Sequence, residues 1–141
     1  MTTGHSGGYS GTPLARKLSL KDGMRVWWEE MPSSVRAEIE SYGLDLRHLI
    51  WHEAPIDAIH VFVTTREELE SAIARLHPLL APDGFLWVSW PKQASKVPTD
   101  VTEDVIREIA LPTGLVDVKV CAVDDTWSGL KLMVRRELRG A

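Results

Sequence analysis

A single cysteine, Cys121, is all the sequence holds, so the chain can form no intrachain disulfide and no cysteine-based zinc cluster. A reducing cytoplasm suits that composition. No apolar stretch approaches the ~20 residues that cross a bilayer, and the Gly/Ser/Thr-rich stretch over 1–11 lacks the apolar core of a signal peptide. Neither secretion nor a membrane partner is expected. A basic excess is missing too: 16 Lys+Arg face 20 Asp+Glu, giving a net charge of −4, the wrong sign for holding phosphate backbones by charge alone. No nucleic-acid partner is expected. The five histidines lack tight metal-ligand spacing; His48 and His52 stand four apart, but in surroundings that favour a strand or loop, so no metal site is expected.

What is present fits one packed domain. The length of 141 residues, with 44% apolar and 26% charged side chains, suits a single globular unit over 12–139 behind a flexible segment at 1–11. Charge is unevenly spread. Residues 1–25 carry four basic and one acidic side chain, 131–141 the same, and the stretch between them sums to −10, read as solvated faces. Six tryptophans are many for this length, and most fall in or beside β-rich runs, where helix-sheet packing is their expected role. Cys121 lies inside one such run and reads as a buried, inert thiol.

A β-rich apolar run followed by a capped amphipathic helix recurs along the chain. Thr12-Pro13 places a cap before proline, with Leu14 and Leu18 on one helix face ending before Asp22-Gly23. A strand follows over 24–29. Pro32-Ser33-Ser34 opens a helix with Val35, Ile39 and Tyr42 on one face and Gly43 as its stop, and a weaker strand covers 47–51. Only a few residues separate that strand from the next run, whereas a parallel return needs roughly a dozen, so 47–51 reads either as a short edge, parallel or antiparallel, or as no strand at all.

The run over 56–63 is almost continuously apolar, as in a strand covered on both faces. Thr65 with Glu68 forms a capping box ahead of Leu69, Ala72, Ile73, Leu76 and Leu80, and Pro82-Asp83-Gly84 reads as a turn before a strand at 85–90. Asp100 with Glu103 then caps a helix carrying Val105, Ile106 and Ile109. Strands over 116–123 and 130–136, joined by a short loop, form an antiparallel pair. Ile59, Val61, Phe62, Leu86, Val88, Val118 and Val120 are the expected central-strand core. The alternation implies an α/β, Rossmann-like fold: a mostly parallel sheet, helices on both faces, and a C-terminal antiparallel hairpin.

From Ile56 onward the order of strand, helix, Leu80-Ala81-Pro82-Asp83-Gly84, strand, helix and terminal hairpin resembles the second half of the class I S-adenosylmethionine-dependent methyltransferase fold. Leu20-Lys21-Asp22-Gly23-Met24-Arg25-Val26 is similar to that fold's entry into its first strand. More specifically, Gly8-Tyr9-Ser10-Gly11-Thr12-Pro13-Leu14, Trp90-Pro91-Lys92, Val97-Pro98-Thr99-Asp100 and Thr126-Trp127-Ser128-Gly129-Leu130-Lys131 resemble an uncharacterised family of small bacterial proteins, a domain of unknown function. The resemblance implies a truncated methyltransferase-like fold and brings no activity with it.

The sequence departs from the methyltransferase pattern where the cofactor would bind. Members of that superfamily place a Gly-x-Gly-x-Gly turn after the first strand so that backbone N–H groups approach the methionyl part. Here the stretch reads Trp28-Glu29-Glu30-Met31-Pro32-Ser33-Ser34, with no glycine, and Glu53 as a ribose-gripping acid reads better as a solvated loop carboxylate. No cofactor is expected. The expectation is a non-methylating methyltransferase-like domain that binds a small polar ligand or a protein partner at the carboxyl ends of the strands. The alternative is a methyltransferase, or another transferase, with an altered cofactor site. The rim candidates are Lys92 as a cation, Thr99 and Asp100 at a helix start, Asp124 and Asp125 in the hairpin loop, Trp127 as a stacking wall and Ser128 as a hydroxyl. Equally open is a structural role for each: Thr99 and Asp100 as caps, Lys92 paired with Asp124 or Asp125, and Trp127 sealing the hairpin.

Overall fold

The computed structural model describes residues 11–139, so the segment expected to be flexible at 1–11 lies, Gly11 apart, outside the described residues. Six strands form one sheet: β1 (Arg25–Glu29), β2 (Arg47–His48), β3 (Ile56–Phe62), β4 (Leu80–Pro91), β5 (Leu115–Ala122) and β6 (Trp127–Val134), in the spatial order β2-β1-β3-β4-β6-β5. The pairs β1/β2, β1/β3 and β3/β4 are parallel, and β6 runs antiparallel to both β4 and β5. The helices are α1 (Leu14–Lys17), α2 (Ser33–Glu40), α3 (Arg66–Leu76) and α4 (Glu103–Ala110). Among the described residues no helix is long and apolar enough to cross a membrane.

Helices cover both sheet faces because β3 and β4 are apolar on both. On one side Ile59, Val61, Leu86, Val88, Leu130 and Leu132 pack beneath Leu69, Ile73 and Leu76 of α3 and Ile106 of α4. On the other side Ala58, Phe62, Phe85 and Trp87 pack beneath Leu14 and Leu18 and beneath Val35 and Ile39 of α2. Trp87 is fully buried, and its indole Nε1 donates to Leu18 O at 2.9 Å, which satisfies the one polar atom it carries inward. The α3 capping box forms as the sequence implies: Thr65 Oγ1 accepts from Glu68 N while the Glu68 carboxylate accepts from Thr65 N.

Several local expectations are corrected. The first helix begins at Leu14 with Pro13 at the capping position, not Thr12. Tyr42 is exposed rather than part of the α2 stripe, because the helix ends at Glu40. Pro82-Asp83-Gly84 is no turn. It lies inside β4, where the register jumps from Ile56↔Leu80 to Ala58↔Phe85 and the additional residues bulge out. Gly84 is needed there because a Cβ would stand 2.8 Å from Ile56 O and 3.0 Å from Asp57 O.

Strand β2 is shorter than expected and parallel to β1. His48 and Ala58 both pair with Val26, so the link over 49–55 crosses beside β1 without travelling back along a full strand, and the dozen-residue rule does not apply. Arg25 pins the link, donating from Nε to Pro55 O at 2.6 Å and from a terminal nitrogen to Glu53 O at 3.2 Å. Trp51 sits in this link, exposed, rather than in a strand.

Val118 and Val120 are not core residues: they are 47% and 46% exposed. The hairpin closes with β6 inside and β5 outside, and a bulge between Asp117 and Lys119 turns Val118 out of the ladder. Cys121 on the same edge strand is half-buried rather than buried, and that burial pushes its thiol above its ordinary range.

Candidate functional site

Parallel strands end together, so the carboxyl ends of β1, β3 and β4, with the loop between β5 and β6, make one rim of the sheet. The β5–β6 loop is set by Asp124, whose Oδ1 accepts from Thr126 N and Trp127 N, both at 2.8 Å, an arrangement that closes the turn without glycine. Lys92, one residue beyond β4, donates its backbone N–H to Thr126 O at 2.7 Å. Lys92 and Trp127 therefore stand at the same end of the sheet. The Lys92 ammonium makes no ion pair among the described residues, so the pairing with Asp124 or Asp125 is absent. Trp127 packs edge-on against Phe62, ring centroids 5.1 Å apart, and is half-buried; Ser128 lies in the ladder opposite Trp90 and Ala122.

Thr99 and Asp100 occupy the neighbouring part of the rim but are engaged by the end of β3. Thr99 Oγ1 donates to Thr64 O at 2.6 Å, and Asp100 N donates to the same carbonyl at 3.3 Å. Asp100 does not cap α4, whose N-cap is Thr102, accepting from Val105 N at 3.1 Å. It caps the other helix: Asp100 Oδ1 accepts from Arg66 N, the first residue of α3, at 2.7 Å. Removal of a capping carboxylate costs about 1 kcal/mol, so Asp100→Ala should lower the melting temperature by about 3–5 °C in a thermal melt. An unchanged melt would mean that the carboxylate faces outward to a ligand instead.

Among the described residues, two cavities open at this rim. The first, about 210 Å³, lies between α2 and the hairpin loop and is lined by Ser34, Val35, Glu38, Asp124, Asp125 and Thr126. The second, about 380 Å³, lies between the end of β1 and α3, with Glu29, Glu30, Glu67, Glu68 and Arg75 around an apolar floor that includes Phe62 and Val63. Glu29 is held: Arg75 donates to both its oxygens at 3.0 and 3.2 Å, and Trp27 Nε1 donates to Oε2 at 2.8 Å. Burial pushes the Glu29 carboxyl up, but these donors outweigh it and leave the group below the ordinary carboxylate range. Glu68 is likewise lowered, chiefly by the backbone N–H groups of Thr64 and Thr65.

This environment does not fit the S-adenosylmethionine that the methyltransferase resemblance implies. The β1–α2 connection is Glu30-Met31-Pro32; Glu30 takes a left-handed φ of 57°, and Pro32, at the α2 cap position, has no N–H to offer. The neighbouring cavity carries the carboxylates of Glu29, Glu30, Glu67 and Glu68 against one lining cation, Arg75, which is already paired with Glu29. Glu53, the only acid after β2 before Ile56, is exposed.

Neither Glu29/Arg75/Trp27 nor the α2 wall of the smaller cavity was legible in the sequence. Arg75 is 46 residues from Glu29, and no local pattern connects them. The buried His60, whose Nε2 shares a 2.7 Å hydrogen bond with Ser89 Oγ, had only one sequence signal, a polar residue inside the apolar run at 56–63.

Residues 15–136 match the family described as "Protein of unknown function (DUF3052)". No curated protein matches the sequence significantly. Among solved structures, a SAM-dependent methyltransferase from Aquifex aeolicus is similar with a TM-score of 0.57 and 17% identity, over 86% of this chain and 87% of that one. A ribosomal protein methylase from Lactobacillus delbrueckii subsp. bulgaricus is similar at 0.54 and 14%, over 86% and 75%. Fibrillarin from Aeropyrum pernix, solved with natively bound S-adenosyl-L-methionine, is similar at 0.50 and 12%, over 85% and 73%. At these identities the likeness is one of fold.

Proposed function

Because the chain belongs to the DUF3052 family, whose description assigns no activity, we propose that it is a methyltransferase-like domain that transfers no methyl group and binds a small polar ligand or a protein partner at the carboxyl rim of its sheet. The observation that carries this reading is the β1–α2 connection. Glu29 is locked to Arg75 and Trp27, Glu30 is left-handed, and Pro32 removes an N–H, so the place where a methyl donor would be gripped is built from acids and lacks a glycine turn.

Binding would fall on the part of the rim with polar groups still unspent. Asp100 is committed to α3 and Asp124 to the hairpin turn. Among the described residues the Lys92 ammonium has no carboxylate partner, and Asp125 and Thr126 open onto the smaller cavity with Ser34 and Glu38. A cation beside hydroxyls and a carboxylate suits a ligand carrying both hydrogen-bond donors and an anionic group. The indole of Trp127 is a flat apolar wall beside them.

Amide chemical-shift mapping against a panel of polar metabolites tests this. The expected result is a saturable response confined to Lys92, Asp125, Thr126 and Trp127 and lost in Lys92→Ala, a variant whose stability should stay within about 1 kcal/mol of wild type because it breaks no ion pair. Saturable responses only elsewhere, or retained in Lys92→Ala, would overturn the rim assignment.

A further inference from the structure

Two like charges face each other across the outer strands. Lys119 on β5 stands directly opposite Lys131 on β6, and directly opposed residues of an antiparallel pair project to one sheet face within reach of each other. Lys131 also lies in the field of Lys21, and Lys17 and Lys119 flank Cys121 on the same side. Among the described residues none of these four ammonium groups forms an ion pair. A sheet arranged only for its own stability would place an acid opposite Lys131.

The lysines are held in place rather than left to solvent. Lys17 Nζ donates to Ala122 O at 2.9 Å, and Lys131 Nζ donates to Ser19 Oγ at 3.0 Å while sitting 4.6 Å from the centre of the Phe85 ring. Ser19 has φ 65°, a left-handed conformation that is costly for an L-residue and free for glycine. The serine hydroxyl is what secures Lys131 there. Strain and like-charge repulsion thus coincide on one surface, built from Lys17, Ser19, Lys21, Lys119 and Lys131.

The shape of that surface selects among anions. β5 is the open edge of the sheet, and beyond the bulge its residues Lys119 and Val120 are exposed, with a row of backbone groups facing outward. Cys121 and Met133 lie half-buried among the lysines and offer apolar contact. A duplex or long polyphosphate laid here would extend over a molecule that is acidic elsewhere, whereas a short extended peptide fits the strand edge. We propose that this face docks an acidic, extended segment of a partner protein, which adds beside β5 and places its carboxylates at Lys119 and Lys131.

Thermal melts with hexaglutamate as the probe test the proposal at about 0.15 M salt, where distant surface charges are screened. Wild type should show a saturable rise of about 2–4 °C, absent with hexaserine. Lys119→Glu, which turns the cross-strand repulsion into attraction, should melt about 2 °C higher than wild type and no longer respond to the peptide. Lys21→Gln, which removes no side-chain hydrogen bond among the described residues, should at least halve the response without altering the fold. A wild type that ignores hexaglutamate overturns the proposal, as does a response retained in Lys119→Glu. A larger shift with tripolyphosphate or a single-stranded oligonucleotide at equal concentration also overturns it and reassigns the face to phosphate.

Discussion

Ile59→Asp should cost about 3–5 kcal/mol, a large share of the about 5–15 kcal/mol that a domain ordinarily holds. Ile59 is 0% exposed and lies mid-sheet, paired with Trp27 on one side and Leu86 on the other, beneath α3. No cation reaches that layer among the described residues: the nearest element, α3, contributes Leu69, Ile73 and Leu76 to it and keeps Arg66 and Arg75 at its exposed face. The carboxylate would stay unpaired or take up a proton, and either outcome removes packing. Urea unfolding at neutral pH reads the cost directly. A variant within 1 kcal/mol of wild type, on the order of a surface change, would mean that β3 is not the central strand.

Acid should weaken the protein well before its carboxylates titrate. His60 is 3% exposed on the opposite sheet face, stacked on Phe62 with centroids 4.5 Å apart and hydrogen-bonded to Ser89. Burial lowers its pKa from 6.5 to about 3, because removal from solvent penalises the charged imidazolium. The unfolded chain binds a proton at this site below about pH 6.5, whereas the native protein binds it only near pH 3. The stability from a neutral His60 is therefore complete above pH 6.5 and drains away as pH falls toward 3, at about 1.4 kcal/mol per pH unit. By pH 4.5 the loss is roughly 3 kcal/mol. His48 and His77 are also lowered by burial and add losses of the same sign. Urea midpoints for wild type and His60→Gln across pH 7 to 4.5 separate the contribution. The glutamine keeps a hydrogen bond for Ser89 but cannot titrate, so its midpoints should fall less steeply; equal slopes would show that His60 takes no part.

The same two strands explain how much of the fold could be read from sequence. β3 and β4 are buried on both faces over most of their length, and a nearly continuous apolar run says so in one dimension; Thr65 and Glu68 announce α3 because both ends of a capping box lie within four residues. β5 is richer in valine than either, yet it is an edge. Local pattern cannot reveal which hairpin strand pairs with β4, and that choice leaves Val118 and Val120 outside. The same distance problem hid the role of Asp100, whose partner Arg66 is 34 residues away, and made the acid three residues ahead of Glu103 read as a cap for the nearer helix. At the rim, the missing glycine turn could be read because it is contiguous, whereas the two cavities could not, because each joins elements far apart in the chain.

On the proposed reading, the acidic β1–α2 connection leaves no place for a methyl donor. Isothermal titration of S-adenosylmethionine and of its demethylated product into the wild-type protein at millimolar ligand tests it most directly. Neither compound should give saturable heat, and the melting temperature should not change in the same samples. Micromolar binding of both, stoichiometric and lost on substitution at Glu30 or Pro32, would contradict it and return the chain to the methyl-transferring enzymes that share its fold.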